Sequence, residues 1–137
     1  MKGYINHITK RERDALVIIG RNKENKFPIR ISSLAKQLNI RTPTAEEIVE
    51  KLVLKNLVQK SGGLVILSDA GMKYYLETMM KHRAMETFLT GCGVDPDTAC
   101  KQVSVFDYLL DKGSAIKILK KLGNPEKCPH GLKIVES

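Results

Sequence analysis

Apolar residues near the start of the chain follow the spacing of one helix. Segment 9–22 carries four consecutive aliphatic residues and a basic beginning, and Thr9 is suited to cap it. The next stretch, 22–30, is polar and contains Pro28, which predicts a loop. We therefore expect a helix whose basic end faces outward, followed by an irregular connection.

Two shorter helices separated by a turn are predicted next. Apolar residues at helical spacing and a serine cap indicate an amphipathic helix over 31–38. Residues 39–42 form the turn, and Pro43 suits the first helical position behind a Thr42 cap. The second helix is expected to run to about Lys55, with its aliphatic residues on one face.

A hairpin is predicted after these helices. Two apolar runs, 57–58 and 64–67, lie on either side of a Lys-Ser-Gly-Gly sequence, and a Gly-Gly pair is typical of tight hairpin turns. The order helix, turn, helix, hairpin is that of a winged helix-turn-helix. We assign this domain to residues 1–70.

The remainder of the chain, 71–137, is predicted to be helical. Helices are expected over 70–90, 95–110 and 113–122, and the tail 124–137 is expected to be irregular. These helices carry more apolar residues than they can bury alone, so we expect them to form a homodimer interface. The predicted fold class is mainly α, with an N-terminal winged helix-turn-helix followed by a helical dimerisation domain.

Charge favours an anionic partner for the N-terminal half. The chain has a formal net charge of +8, and residues 1–70 hold 13 Lys and Arg against 7 Asp and Glu. Residues 71–137 hold 10 against 8. Nucleic acid is the first candidate partner and a membrane surface the second. Because aromatic residues make up only 5% of the chain, base-stacking platforms for single strands are not expected.

Composition also narrows the cellular and chemical class. No apolar run approaches the roughly 18 residues needed to cross a bilayer, so we expect a cytoplasmic protein. Three cysteines, Cys92, Cys100 and Cys128, lack Cys-x-x-Cys spacing and indicate reduced thiols rather than a disulfide framework. The sequence shows no phosphate-binding glycine loop and no nucleophile beside an evident base, so we do not expect an enzyme.

Duplex DNA requires cations for phosphates and short polar side chains for base edges, and the predicted helix-turn-helix supplies both. The leading turn of its second helix is where a recognition helix meets bases, while serines, later lysines and the hairpin lysine suit phosphates. The candidate DNA-binding residues are Ser32, Ser33, Arg41, Thr42, Pro43, Thr44, Glu47, Lys51 and Lys60, with Lys55 as a further phosphate candidate. Helix capping and ordinary solvation remain alternative roles for several of them.

Three stretches of the sequence resemble one family over nearly the whole chain. They are ISSLAKQLNIRTPTAEEIVEKLVLKNLV, LSDAGMKYYLETMMKHRAMETFLTGCGVD and LKKLGNPEKCPHGLKI. The sequence is similar to the diphtheria-toxin-repressor family of metal-dependent transcriptional repressors, and most similar to its short manganese-transport regulators. The resemblance implies a homodimer that binds a double-stranded operator when Fe(II) or Mn(II) is bound.

The resemblance places the family's primary metal site on residues that differ from the usual ligands. His82 is kept, and Asp107 stands at the acidic position of the second ligand run, where Ser104 and Tyr108 replace the other ligands. On the first helix Asp14 stands where one family carboxylate does, but Arg11 occupies the other position. A divalent ion beside an arginine would be poorly held, so an altered metal site is expected.

An ancillary site of the family is better preserved. The resemblance assigns its ligands to His82, Glu86 and Cys100, and the first two lie four residues apart on one helical face. Imidazole, carboxylate and thiolate together suit Zn(II) or Fe(II). Cys128 and His130 are further donor candidates whose role the sequence leaves open. Purely structural roles for these side chains remain an alternative.

Several functions therefore stay open. The first is an iron- or manganese-responsive repressor with an altered metal site, holding Fe, Mn or Zn. The second is a regulator that needs no metal and replaces it with direct contacts such as Arg11–Asp107. The third is a winged-helix protein–protein adaptor, which the acidic pair Glu46 and Glu47 motivates because carboxylates repel phosphates.

Overall fold

The computed structural model describes residues 8–24 and 27–135, and within these ranges the chain is mainly helical. The elements in chain order are α1 (Lys10–Glu24), β1 (Ile29–Arg30), α2 (Ile31–Leu38), α3 (Thr42–Leu54), β2 (Val58–Ser61), β3 (Leu64–Leu67), α4 (Asp69–Gly91), α5 (Pro96–Ser104), a 3-10 helix (Asp107–Leu109) and α6 (Lys112–Lys121). The chain divides into two compact units, Met1–Tyr75 and Leu76–Ser137. We refer to them as the N-terminal and C-terminal units.

Helix α1 begins with a reciprocal pair of hydrogen bonds. The backbone N–H of Glu12 donates to Thr9 Oγ1 and the backbone N–H of Thr9 donates to Glu12 Oε1, both at 3.2 Å. This is a capping box, which satisfies two otherwise unpaired donors at the helix start. The predicted Thr9 cap is therefore confirmed. The aliphatic run of α1 then enters the core, where Leu16 and Ile19 are buried.

Helices α2 and α3 form the predicted helix-turn-helix with different caps. Arg30 and Arg41 are the N-cap residues, and neither makes a side-chain capping bond. The predicted serine cap of α2 is wrong, because Ile31 already lies inside the helix. The predicted Thr42 cap is also wrong, since α3 begins at Thr42. Asn39 ends α2 in the left-handed region at φ 57°, which asparagine tolerates better than most residues.

The hairpin of β2 and β3, hereafter the wing, confirms the predicted Gly-Gly turn. Gly62 and Gly63 both have positive φ, 54° and 80°, as a two-residue hairpin turn of matching twist requires. The prediction of a loop over 22–30 is wrong in part, because β1 pairs antiparallel with β3, with Ile29 opposite Val65. Two residues are too few for an alternating pattern to show. The sheet order is β1-β3-β2.

Helix α4 starts against the wing. The backbone at Gly71 lies so close to Leu57, the residue before β2, that a Cβ atom there would be 1.8 Å from the carbonyl oxygen of Leu57. Ser68 caps this helix by accepting a hydrogen bond from the N–H of Gly71 at 2.9 Å. Glycine is therefore required at position 71 for steric reasons.

In the C-terminal unit two helices differ from prediction. Helix α5 ends at Ser104 rather than near 110, and its Ser104 hydroxyl donates to the Cys100 carbonyl at 2.8 Å. The chain then forms a separate 3-10 helix at Asp107–Leu109. Helix α6 begins one residue earlier than predicted, because Asp111 caps it by accepting from the N–H of Gly113.

The tail after α6 is folded onto the C-terminal unit. Lys127 and Lys133 form an isolated β-bridge, and Arg83 Nη1 donates to the Lys133 carbonyl at 2.7 Å. The prediction of an irregular tail is correct only in the sense that the tail contains no helix up to residue 135, where the description ends. One apolar cluster joins the tail to helices α4 and α6: Met80, Ala84, Ala115, Leu119, Cys128 and Ile134.

Candidate metal centre and nucleic-acid interface

His82 on α4 is buried among donor atoms from three parts of the C-terminal unit. Its Nε2 lies 3.3 Å from the Sγ of Cys100 on α5 and 3.6 Å from Oε2 of Glu86, one turn along α4. Its Nδ1 lies 2.8 Å from Oδ2 of Asp107 in the 3-10 helix. The ring is therefore held from both sides, with the carboxylate of Asp107 on one nitrogen and a thiol and carboxylate on the other.

The position of Asp107 fixes which nitrogen of His82 faces the donors. Its carboxyl group is fully buried, and Oδ2 lies 2.8 Å from Nδ1 of the ring. Nε2 is therefore the ring atom that faces Cys100 and Glu86. A carboxylate behind a metal-binding histidine orients the ring and raises its basicity, and this arrangement recurs in metalloproteins.

A second set of donors shares Glu86. The Nδ1 of His130, in the tail, lies 3.2 Å from the same Oε2 atom, and Cys128 belongs to this set as well. The other ring nitrogen of His130 lies 3.0 Å from Oδ1 of Asp97. Hydrogen bonding to Asp97 and Glu86 raises the pKa of His130 above its ordinary value.

The chemistry of both sets fits a divalent transition metal. We call His82, Glu86 and Cys100 the His82 group, and Glu86, Cys128 and His130 the His130 group. Within each group the ligand atoms all lie within 4.8 Å of one another. Imidazole, thiolate and carboxylate are the ligands of zinc and of ferrous iron, whereas a set containing thiols is less suited to a hard ion such as magnesium.

Helix α3 in the N-terminal unit presents a polar face opposite its apolar one. Arg41, Thr42, Pro43, Glu47 and Lys51 are exposed, and Thr44 is half-buried. On α2, Ser32 is exposed and Ser33 half-buried. The opposite face of α3 is buried through Ala45, Ile48, Val49 and Leu52. The helix is thus anchored by one face while the other faces solvent, as a recognition helix must be.

Two lysines predicted to contact phosphate have carboxylate partners within the chain. Lys60 Nζ lies 2.8 Å from Glu50 and 3.3 Å from Glu46, both on α3. Lys55 Nζ lies 2.6 Å from the buried carboxylate of Glu12 on α1. Pairs this far apart in sequence leave no local signal, so the pattern of charges alone did not indicate them.

No helix in the described part of the chain is long and apolar enough to cross a membrane.

Residues 68–136 match the family model of the iron dependent repressor, metal binding and dimerisation domain, which covers half of the chain. The chain belongs to the iron-dependent repressor family. The resemblance drawn from its sequence motifs is therefore confirmed. The predicted fold class is also confirmed: the chain is mainly helical, and a winged helix-turn-helix precedes the dimerisation domain.

Solved structures similar to this family member cover almost all of it. The hypothetical protein SSo2273 from Sulfolobus solfataricus is 32% identical with a TM-score of 0.79, and the match covers 94% of this chain and 100% of that one. The manganese regulator SloR is 27% identical with a TM-score of 0.82, covering 94% and 61%. A manganese-dependent transcriptional repressor in complex with manganese is 29% identical with a TM-score of 0.81, covering 92% and 59%.

A curated relative has a similar description. An HTH-type transcriptional regulator of Aeropyrum pernix is 28% identical over 109 residues, which are 77% of this chain and 59% of that protein. The chain therefore spans about three fifths of the length of this relative and of the two manganese-related structures, and the full length of SSo2273.

Asp14 and Asp107 were also predicted as metal ligands. Asp14 lies on α1 in the N-terminal unit, where its carboxylate is 2.6 Å from Lys10 Nζ and 3.0 Å from Arg13 Nη1. Among the described residues, neither group of metal donors includes Asp14 or Asp107. Cys128 and His130, whose role the sequence left open, do belong to one. The Cys-Pro-His spacing was the only signal for them.

Proposed function

We propose that this chain is a homodimeric, sequence-specific DNA-binding transcriptional repressor whose operator affinity is controlled by a divalent transition metal. The observation that carries this proposal is the convergence of imidazole, carboxylate and thiol around Glu86 in a domain that the family model describes as metal-binding and dimerising. The related structures that contain manganese or carry manganese in their description support it.

DNA binding is assigned to the exposed face of α3. In this proposal Thr42, Pro43 and Thr44 meet base edges, while Arg41 and Lys51 meet phosphates. Glu47 would accept a hydrogen bond from a cytosine amine. Ser32 and Ser33 at the start of α2 would donate to a phosphate. Lys60 is left out of the phosphate contacts because two carboxylates already bind its ammonium group.

Dimerisation is assigned to the C-terminal unit. Six large apolar side chains there are exposed in the described chain, and a second copy of the unit would cover such a surface. They are Phe88, Val105, Leu109, Ile116, Leu132 and Val135.

Metal binding is assigned to the two groups that share Glu86. A bound ion would supply positive charge to the buried carboxylate and would join α4 to α5 or to the tail. His82 presents Nε2 to that position because Asp107 holds its Nδ1, so Asp107 acts as a positioning residue rather than as a ligand. Asp14 is left outside the ligand set because Lys10 and Arg13 already neutralise it.

A regulator that needs no metal is the second candidate, and the hydrogen bonds of the donor groups favour it. His82 pairs with Asp107 at 2.8 Å, and His130 joins Asp97 to Glu86 at 3.0 and 3.2 Å. Because the buried members of these pairs, His82, Glu86 and Asp107, already have polar partners, an ion is not needed to stabilise the folded unit.

Operator selection followed by fluorescence anisotropy tests both candidates. Metal control predicts that affinity rises at least about tenfold, an effect of about 1.4 kcal/mol, with Zn(II), Fe(II) or Mn(II) and falls with a chelator. His82→Ala and Cys100→Ser should remove the response, whereas Cys92→Ser, at an exposed thiol outside both groups, should keep it. Equal affinity with and without metal would leave the metal-independent regulator. Failure to retain duplex DNA at low salt would overturn both.

A further inference from the structure

The recognition face of α3 carries acidic side chains that oppose DNA binding. Glu46 and Glu50 lie one turn apart and therefore share a side of the helix. Their side chains keep 45% and 55% of their exposure, so neither is removed from solvent by burial. Two unpaired carboxylates beside a phosphate backbone would repel it.

Lys60 neutralises this pair from the wing. It lies on β2, and its Nζ reaches Oε1 of Glu50 at 2.8 Å and Oε2 of Glu46 at 3.3 Å. One ammonium group thus bridges two carboxylates and links the wing to α3. Hydrogen bonding to Glu50 and Glu46 raises the pKa of Lys60 above its ordinary value, so its charge persists throughout the physiological range.

We propose that Lys60 is a positioning residue for DNA binding: it holds the wing against α3 and masks Glu46 and Glu50 from the phosphates, and it does not contact DNA itself. This inference rests on the proposed DNA-binding function. It differs from the phosphate contact that the sequence offered as one role for Lys60. The geometry assigns its charge to the protein's own carboxylates.

A masking lysine and a phosphate-contacting lysine respond differently to removal of the carboxylates. Lys60→Met in the otherwise native protein leaves two unpaired negative charges, and we expect DNA affinity to fall about fivefold at low salt. In a Glu46→Gln/Glu50→Gln background there is nothing left to mask, so the same Lys60→Met change should leave affinity unaltered. Lys60→Arg, which keeps the charge, should retain native affinity.

Lys51→Met provides the matched control. Lys51 is exposed on α3 and is proposed to contact phosphate. Its loss should therefore weaken binding equally in both backgrounds and lower the log–log salt slope by about 1.8, which is about 0.9 for each of the two copies of Lys51 in the dimer. If Lys60→Met behaved in this same way, with an equal loss in both backgrounds and a lower slope, the proposal for Lys60 would be overturned.

Hydrogen exchange in the DNA-free protein tests the link to the wing separately. The ion pairs fasten β2 to α3, so Lys60→Met should speed amide exchange at the paired wing residues Gln59 and Ile66. Unchanged exchange would overturn the claim that Lys60 holds the wing, whatever the DNA result. If the unsubstituted protein did not bind duplex DNA at all, the proposed function would fail while the exchange data still decided whether the wing is fastened.

Discussion

Carboxylates are neutralised in opposite ways in the two units. In the N-terminal unit, one partly exposed lysine, Lys60, serves two solvent-facing carboxylates on α3. In the C-terminal unit, Glu86 keeps only 2% of its side-chain exposure and Asp107 none, and imidazoles are their partners. Exposed pairs add little to stability, whereas removing one member of a buried pair leaves an uncompensated group. The first arrangement therefore changes the charge of an exposed surface, whereas the second holds the side chains of a buried site in place.

The largest expected effect comes from breaking the buried pair. Asp107→Ala removes the acceptor of His82 Nδ1 and should lower the free energy of unfolding by about 3 kcal/mol in chelator-treated protein. Urea denaturation measures this. Asp97→Ala, which removes an exposed carboxylate that also pairs with a histidine, should leave stability unchanged within error. Equal effects of the two substitutions on the free energy of unfolding would contradict the proposed difference between buried and exposed carboxylates.

The next effect concerns the carboxylate that both donor groups use. Glu86→Gln should weaken binding of Zn(II) more than about 100-fold, since loss of a ligand exceeds the roughly 10- to 100-fold cost of losing an outer partner. Isothermal titration against a competing chelator measures this. His130→Ala should cost less if the His82 group alone holds the ion. A smaller loss for Glu86→Gln than for His130→Ala would contradict the shared role of Glu86.

The next effect on stability, in the N-terminal unit, is expected from a close backbone contact rather than from charge. Gly71→Ala forces a methyl group against the Leu57 carbonyl and should destabilise the protein by about 2 kcal/mol. Gly91→Ala, at a position where a Cβ atom meets nothing within 4 Å, is the matched control and should be neutral or slightly stabilising. Thermal unfolding followed by circular dichroism distinguishes the two. Similar melting temperatures would show that α4 can move away from the wing.

The smallest effect on stability is expected from breaking the exposed ion pairs of the N-terminal unit. Lys60→Met breaks two exposed ion pairs and should leave the free energy of unfolding unchanged within the error of urea denaturation, because solvent screens such pairs. Its effect is expected on DNA binding instead. A large loss of stability would mean that the surface charges of α3 are structural.

Periodic patterns predicted most helices and the wing because their causes are local. Apolar spacing located α1, α3 and α4, and the Gly-Gly pair located the turn. The failures also have local explanations. Strand β1 is two residues long and its pairing with β3 depends on contacts more than thirty residues away. The stretch after α5 was predicted as a continuation of that helix, but it forms a separate 3-10 helix at Asp107–Leu109.

Residues of the candidate site could be predicted only where their spacing or the family resemblance indicated them. His82 and Glu86 share a helical face, and the resemblance added Cys100, which the structure brings within 3.3 Å of the imidazole. The role of Asp107 behind the ring and the sharing of Glu86 with His130 arise from folding of separate segments. No pattern in the sequence reports the distance between residues that far apart.

Cys128 lies in two environments at once, and this has a thermodynamic consequence. Its side chain packs in the apolar cluster of the C-terminal unit, while its sulfur belongs to the His130 group. An ion that binds there and not to the unfolded chain must stabilise that cluster by linkage, by about 2.7 kcal/mol at a hundred times its dissociation constant. The thermal stability of this cluster would then depend on the concentration of available metal.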